Sequence, residues 1–465
     1  MKPLILGLSA ALTLSACADF GTMGRASEPR AGFARTEAAA RSAGLKAAWH
    51  LTPAEVAANA ARVRARVQGK TVNADTAVQV ALVNNRALQA RYAELGLSST
   101  ELWEAAMGPV PTLGVSATGL AGDAARSLEA ALATSLLDIA TAKPRTRVAQ
   151  IRFEQAELAA LSETMALAVE TRRAWIEAVG AFEAAALIGQ AQGTAEAASE
   201  LASQLGQTGA LNRADQAREH AFTAELAAER AAARLEAEVA KERLLRLMGL
   251  WGGDLDVFVP DALPGLPGRP RGAADIERLA LQNRPDLAAG RLELDAVALD
   301  YRLEGRTRMI SDVALAAGGE AEREDGETDR TAVLDLDFEI PLYDTGRLVS
   351  KRGQMAYLKA ANALADQAIA ARAEARIAQR QVTGRHAIAR QWRDQVVPLR
   401  AEIDEQALLS YNGMLTSAFD LLEDARDGLE ARLSAAEAKK DYWIAETDVT
   451  AAIWGGPISS EGGDE

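Results

Sequence analysis

AVLDLDFEIPLYDTGR, residues 332–347, is the stretch from which the rest of the chain can be read. Ala332, Leu334, Leu336, Phe338 and Ile340 alternate with Val333, Asp335, Asp337 and Glu339. This period of two puts apolar side chains on one sheet face and carboxylates on the other. Pro341 ends the ladder by removing a backbone donor, and Gly346 permits an unusual dihedral. An Ala-rich helical pattern starts directly afterwards, so the spacing predicts a strand that feeds straight into a very long helix.

Of the 465 residues, 49% are hydrophobic, 25% charged and only 5% aromatic. Abundant Ala with so few rings points to closely packed helices rather than one broad core. The formal charge of −14 argues against a nucleic-acid partner, because counterion release needs a concentrated Lys/Arg surface and none is visible.

Met1-Lys2-Pro3 and the apolar run Leu4 to Leu14 read as a secretory signal, too short for a permanent membrane helix. Leu14-Ser15-Ala16-Cys17 resembles a bacterial lipoprotein box, which implies that Cys17 becomes an acylated N-terminus. An Asp after that Cys tends to retain such proteins at the inner membrane. Ala18 stands there instead, so the implied destination is the outer membrane. Cys17 is the only cysteine, which excludes an intramolecular disulfide.

Residues 18–50 are small and polar and read as an extended tether. Thr52-Pro53-Ala54-Glu55 then supplies an N-cap, a first-turn proline and an acid for a short helix to about Val67. One helix is expected from near Asn73 or Asp75 to about Met107, stopped by Gly108-Pro109. Strand alternation follows, Leu113, Val115 and Ala117 on one side of a turn and Leu128, Ala130 and Leu132 on the other. From about Pro144 the period is helical for roughly 60 residues, to Gly206–Asn212, and another helix runs from Arg213 to Met248. Pro260, Pro264, Pro267 and Pro270 mark a linker.

After the linker the same plan repeats. Asn283-Arg284-Pro285-Asp286-Leu287 stands where Asn84-Asn85 stood, Leu342-Tyr343-Asp344 where Leu136-Leu137-Asp138 stood, and Gly413 where Gly209 stood, at offsets of about 200 residues. A third strand is expected over Asp312–Ala317, an acidic loop over Gly319–Arg330, then the opening stretch as the fourth strand. A long helix follows that Pro398 should kink, then a turn over Tyr411–Thr416 and a last helix to about Trp454. The divisions are a lipoprotein signal with its cysteine (1–17), a tether and short helix (18–72), a first repeat (73–250), a Pro/Gly linker (251–272), a second repeat (273–456) and a tail (457–465).

Nothing else in the sequence has the amphipathicity to cover only the apolar strand faces, and lipid is one candidate cover. In hydrocarbon a sheet must close into a barrel, and four strands are fewer than the roughly eight of the smallest such barrels. The membrane reading therefore requires several copies. The duplicated order of helix, hairpin, long helix, turn and helix, with the paired motifs above and Tyr411-Asn412-Gly413 followed by Asp420-Leu421-Leu422, resembles the TolC-like outer membrane efflux proteins over about residues 73–456. The resemblance implies a mainly α fold with a small β part: duplicated long-helix hairpins in an α-barrel, plus four strands given to a trimeric outer-membrane β-barrel. It also implies a homotrimer that docks with a periplasmic adaptor and an inner-membrane transporter, with Pro341 and Gly346 as the strand-to-helix swivel. The first half departs from the pattern, with Ser135-Leu136-Leu137-Asp138-Ile139 at its strand exit. The strands also carry few aromatics for a membrane girdle.

No nucleophile with an oriented base, metal cluster or cofactor motif emerges. His50, His220 and His386 fall on separate segments, and the methionines are scattered like core filler. The residues with a transport role are acids. Asp335, Asp337 and Glu339, with Glu129 and Asp312, line the lumen if the opposite face meets lipid. Asp420 and Glu423, three apart at the start of the last helix, match the two acids that ring the periplasmic entrance in the family. Acids in a first helical turn also simply complement the helix dipole, a second reading of the same pair. A periplasmic coiled-coil adaptor and a pore-less structural lipoprotein are the alternatives. The duplication disfavours the first and the strand alternation the second. The cargo, small molecules or metal ions, is not legible.

Overall fold

The computed structural model describes residues 18–42, 44–118, 127–209, 211–252, 256–270, 275–307, 312–324, 327–339, 347–413 and 415–456. In chain order the helices are α1 (Phe20–Ala26), α2 (Phe33–Ser42), α3 (Pro53–Val67), α4 (Ala74–Asn84), α5 (Arg86–Met107), α6 (Leu136–Gln207), α7 (Arg213–Leu247), α8 (Ile276–Asn283), α9 (Pro285–Thr307), α10 (Arg347–Gln391), α11 (Val397–Asn412) and α12 (Ala418–Trp454). The strands are β1 (Lys70–Thr71), β2 (Thr112–Thr118), β3 (Ser127–Ser135), β4 (Val257–Phe258), β5 (Asp312–Glu324) and β6 (Glu327–Glu339). Among the described residues no helix is long and apolar enough to cross a membrane. The chain divides into two units.

The first unit comprises residues 1–36, 91–160 and 286–367. Its centre is one sheet in the order β2-β3-β5-β6, every neighbour antiparallel. Of the residues read as an extended tether, 20–26 and 33–42 are helical instead. Asp19 accepts from the Thr22 amide at 3.1 Å and so caps α1. The Phe33 ring meets the fully buried Tyr92 edge-on at 4.9 Å, and Gly32, at φ 76°, lies where a Cβ would strike Phe153. One aromatic contact in a small-residue segment is too sparse to give a helical period. Arg35 approaches Glu157 at 3.5 Å, while burial pushes the Glu157 carboxyl above its ordinary range despite that cation.

The hairpins correct two expectations. β5 continues to Glu324 and β6 begins at Glu327, so Gly319–Arg330 is ladder rather than loop. Helix α6 starts at Leu136, not near Pro144, with the Ser135 hydroxyl accepting from the Asp138 amide at 3.1 Å and Pro144 inside the helix. Pro341, Gly346 and Cys17 lie outside the described residues.

The second unit comprises residues 37–90, 161–285 and 368–465. Thr52, Asn73, Asn212 and Ser417 cap α3, α4, α7 and α12 with side-chain acceptors. The helix expected from Asn73 to Met107 breaks at Asn85, whose ψ of 123° is extended. Its counterpart Arg284 breaks the second repeat with ψ 119° before Pro285. The break has a purpose in packing. Asn84 Nδ2 donates to the Met248 and Gly249 carbonyls at 3.0 and 2.8 Å, and Asn85 Nδ2 to that of Leu247 at 2.9 Å. These bonds satisfy the bare carbonyls at the end of α7.

Helices α8, α10 and α12 close on a core of Ala280, Ala375, Ala378, Val382, Ala389, Ala438, Tyr442 and Ala445, where alanine permits close axial approach. Ahead of Pro398 the chain widens into a π turn, Trp392–Val396, which absorbs the carbonyl that proline cannot bond. The proline therefore interrupts the α geometry without ending the helical path.

Candidate functional site

The sheet sorts its side chains by charge. Directly paired residues share a face, so Ser116, Glu129, Glu320 and Thr331 stand in one row. Asp335 and Asp337, paired with Ala316 and Ala314, lie on that same face. The Ser116 hydroxyl reaches Glu129 Oε2 at 3.1 Å, and that of Ser127 reaches Glu320 Oε1 at 2.9 Å. Glu322 and Asp329, paired with each other, continue the set toward the hairpin tip. Asp312 and Glu339, also paired, hold the same parity at the helical end, and their side chains lie outside those described. The face is otherwise built of small residues, among them Gly114, Ala131, Ala133 and Gly318. Gly318 is required there: a Cβ would come within 2.5 Å of the Ala130 carbonyl oxygen.

The opposite face carries Leu113, Val115, Leu128, Leu132, Leu315, Leu334 and Leu336. Leu113 is 70% and Leu334 72% exposed in the single chain. Covering such a side chain stabilises by about 1.5–3 kcal/mol, so this face needs an apolar cover. Among the described residues each edge strand, β2 and β6, has one neighbour only. Five of the sheet acids were legible in the sequence, whereas Glu320, Glu322, Glu324, Glu327 and Asp329 were not, because a Gly pair and dense charge masked their own period of two.

In the second unit the turn before α12 is organised by Asp420. Its Oδ2 accepts from the Ser417 amide at 3.1 Å, the Ser417 hydroxyl at 2.8 Å and the Thr416 hydroxyl at 2.9 Å, and the Ser417 hydroxyl accepts from the Asp420 amide at 3.1 Å. This is a reciprocal capping box. Those bonds to Ser417 hold the Asp420 carboxyl below its ordinary range. Glu423 is exposed on the same helix and takes no part in the box. The dipole-and-cap reading of Asp420 is therefore realised locally.

A residue not singled out from sequence sits nearby. Asp404 of α11 packs on Gly428 of α12, where a Cβ would lie 2.6 Å from Oδ2, and burial raises its carboxyl despite Arg432 and Arg400. A glycine inside an otherwise Ala- and Leu-rich helix was the available signal. On the same helix Arg426 stands over the Phe222 ring of α7 at 5.6 Å.

Each histidine hydrogen-bonds to a neighbouring part of the chain. His50 Nε2 contacts the Val83 carbonyl at 3.1 Å, His220 Nδ1 the Ser199 hydroxyl at 2.6 Å, and His386 Nε2 the Pro267 carbonyl at 2.8 Å. Among the described residues no three metal-binding side chains come together.

The cap predicts a measurable pH effect. A carboxyl whose folded pKa is depressed contributes stability above its unfolded pKa and loses it as pH falls through the folded value. The protection factors of the first-turn amides of α12, that is, exchange corrected for its intrinsic pH dependence, should fall as pH drops below the ordinary Asp range. Asp420→Asn should remove that dependence, and Ser417→Ala should speed exchange about fivefold at neutral pH, the effect of about 1 kcal/mol. Unchanged exchange in both variants would mean that the box does not hold the turn.

No family profile and no curated protein matches the chain. Solved structures do. The CmeC outer membrane channel of Campylobacter jejuni is similar at 18% identity and a TM-score of 0.66, over 85% of this chain and 90% of that one. The outer membrane protein VceC from Vibrio cholerae is similar at 15% and 0.67, over 82% and 96%. The open MtrE outer membrane channel of Neisseria gonorrhoeae is similar at 17% and 0.60, over 82% and 88%. The chain thus has the TolC-like fold, duplicated long-helix hairpins with a small antiparallel sheet.

Proposed function

We propose that the protein is a lipid-anchored, trimeric outer-membrane exit duct of a tripartite efflux or secretion system, passing small molecules or metal ions without turnover of its own. The observation that carries this reading is the charge-sorted four-stranded sheet, apolar on one face, acidic on the other and unpaired at both edges. In lipid each bare edge group costs several kcal/mol, and edge-to-edge closure of three copies removes every edge. The acids then line a water-filled lumen and the leucines meet acyl chains. The likeness to outer membrane channels supports the same use of the fold. A periplasmic adaptor and an inner-membrane transporter complete the path at the helical turns, with Asp420 and Glu423 at the entrance.

Purified full-length protein should form long-lived conducting units in a planar bilayer. Absence of conductance from trimeric material would overturn the duct. Topology is tested separately. Thr208→Cys and Thr416→Cys at the helical turns should crosslink to the adaptor, while Thr328→Cys in the second hairpin should label from outside the cell. The inverse pattern would reverse the orientation.

The anchor rests on the lipoprotein-like box and on one bond. The Asp19 amide donates to the Ala106 carbonyl at 3.0 Å, which seats the residues next to Cys17 at the end of α5, a few residues before β2 begins. An acyl chain there enters the leaflet beside the sheet. Cys17→Ala should abolish labelling by a palmitate analogue and leave conductance intact, because the barrel buries its own apolar band. Labelling that persists in Cys17→Ala would sink the anchor.

A further inference from the structure

The face that carries the leucines ends in arginine. On β5 the residues of that parity run Val313, Leu315, Ala317, Gly319, Ala321 and then Arg323; on β6 they run from the other end Leu336, Leu334, Ala332 and then Arg330. Arg330 pairs with Ala321, which pairs with Leu128, so it closes the last apolar row. Arg323 stands two residues further, ~7 Å along the strand. Both are exposed. From Val313 to Ala321 the apolar stretch is ~26 Å long at the usual strand rise, close to the ~25 Å band of outer-membrane barrels.

Sorting by sign makes this more than a polar hairpin tip. Among the described sheet residues every carboxylate, Glu320, Glu322 and Asp329 of this hairpin included, has one parity, and both arginines have the other. Solubility of a tip is indifferent to which face takes which charge. A lipid surface is not, because only the outward face meets headgroups. Guanidinium groups match phosphate oxygens two bonds at a time, and their long stems can lie along apolar surface while the heads reach the interface.

We propose, resting on the duct reading, that Arg323 and Arg330 form a binding site on the outer wall of the barrel for the phosphorylated headgroup of a lipid in the outer leaflet. Each protomer supplies one such pair. The site fixes the height of the barrel in the membrane from the external side, where the strands lack an aromatic girdle.

The test uses the full-length oligomer in phosphatidylcholine vesicles doped either with diphosphorylated lipid A or with its dephosphorylated form. Retained lipid is counted by native mass spectrometry, and conductance is recorded from the same preparation. The wild type should retain the phosphorylated lipid about tenfold better, and millimolar inorganic phosphate should not displace it. Arg323→Gln with Arg330→Gln should erase the preference while conductance persists, and Arg323→Lys with Arg330→Lys should restore part of it. Asp335→Asn with Asp337→Asn should leave it unchanged. A conducting wild type without headgroup preference, or a double Gln variant that keeps it, overturns the site alone. Dissociation of the double Gln oligomer would make the arginines a contact between copies and overturn the lipid assignment. A wild type that does not conduct removes the duct reading and this inference with it.

Discussion

Under a KCl gradient, planar-bilayer recordings should show a reversal potential displaced toward the potassium equilibrium potential, a cation preference of several-fold. Glu129→Gln, Asp335→Asn and Asp337→Asn in one chain should lower it measurably, the remaining acids of the face keeping part of it. The three acids share one sheet face with Glu320, Glu322 and Asp329, and no Lys or Arg among the described residues stands on that face. Threefold repetition would ring the lumen with uncompensated carboxylates, which concentrate cations and repel anions. The Debye length is ~8 Å at physiological salt and ~3 Å at 1 M, so the preference should fade in concentrated KCl. A chloride preference, or a reversal potential that ignores the triple substitution, would mean that the acid face does not line the pore. Because the arginines sit on the other face, neutralising Arg323 and Arg330 should leave selectivity unaltered, which separates the two charge sets.

The elements most legible in the sequence were those whose signal is local. Thr52-Pro53-Ala54-Glu55 starts α3 as its composition dictates, and Gly455, at φ 80°, ends α12 directly after Trp454. The alternation of residues 332–339 survives intact in β6 and fixes which face is acidic. What failed was decided elsewhere in the chain. Asn85 is a helix break because the end of α7, 162 residues away, needs donors for its carbonyls. Residues 20–26 and 33–42 are helical because of a cap at Asp19 and a ring contact with Tyr92, neither visible in a small-residue composition. The outer half of the second hairpin was hidden by Gly318-Gly319 and by Glu, a poor strand former, although its own spacing of two was present. Asp420 was found by family likeness, and its hydrogen bonds give it a capping duty that the likeness does not mention.

The largest loss of stability should come from a residue that belongs to neither candidate site. Asp448 of α12 is 1% exposed, and its Oδ1 accepts from Arg173 Nε of α6 at 2.8 Å and from Nη2 as well. Arg173 is itself 13% exposed, so Asp448→Ala removes the buried carboxylate that faces this guanidinium without opening it to water. Removing one partner of such a pair costs about 3–5 kcal/mol, while replacing both with apolar groups of similar volume is often neutral. Asp448→Ala should therefore shift the urea midpoint far below wild type. Arg173→Met with Asp448→Leu should recover most of the shift. Trp175, whose indole donates to the Val72 carbonyl at 2.8 Å two residues from Arg173, provides a fluorescence reporter in the same helix. The exposed pair Arg41–Glu37 is the control, since Glu37→Ala should cost less than about 1 kcal/mol. If Asp448→Ala proves as mild as Glu37→Ala, or if the double replacement is as damaging as the single one, the stability of this helix packing does not rest on a compensated buried charge.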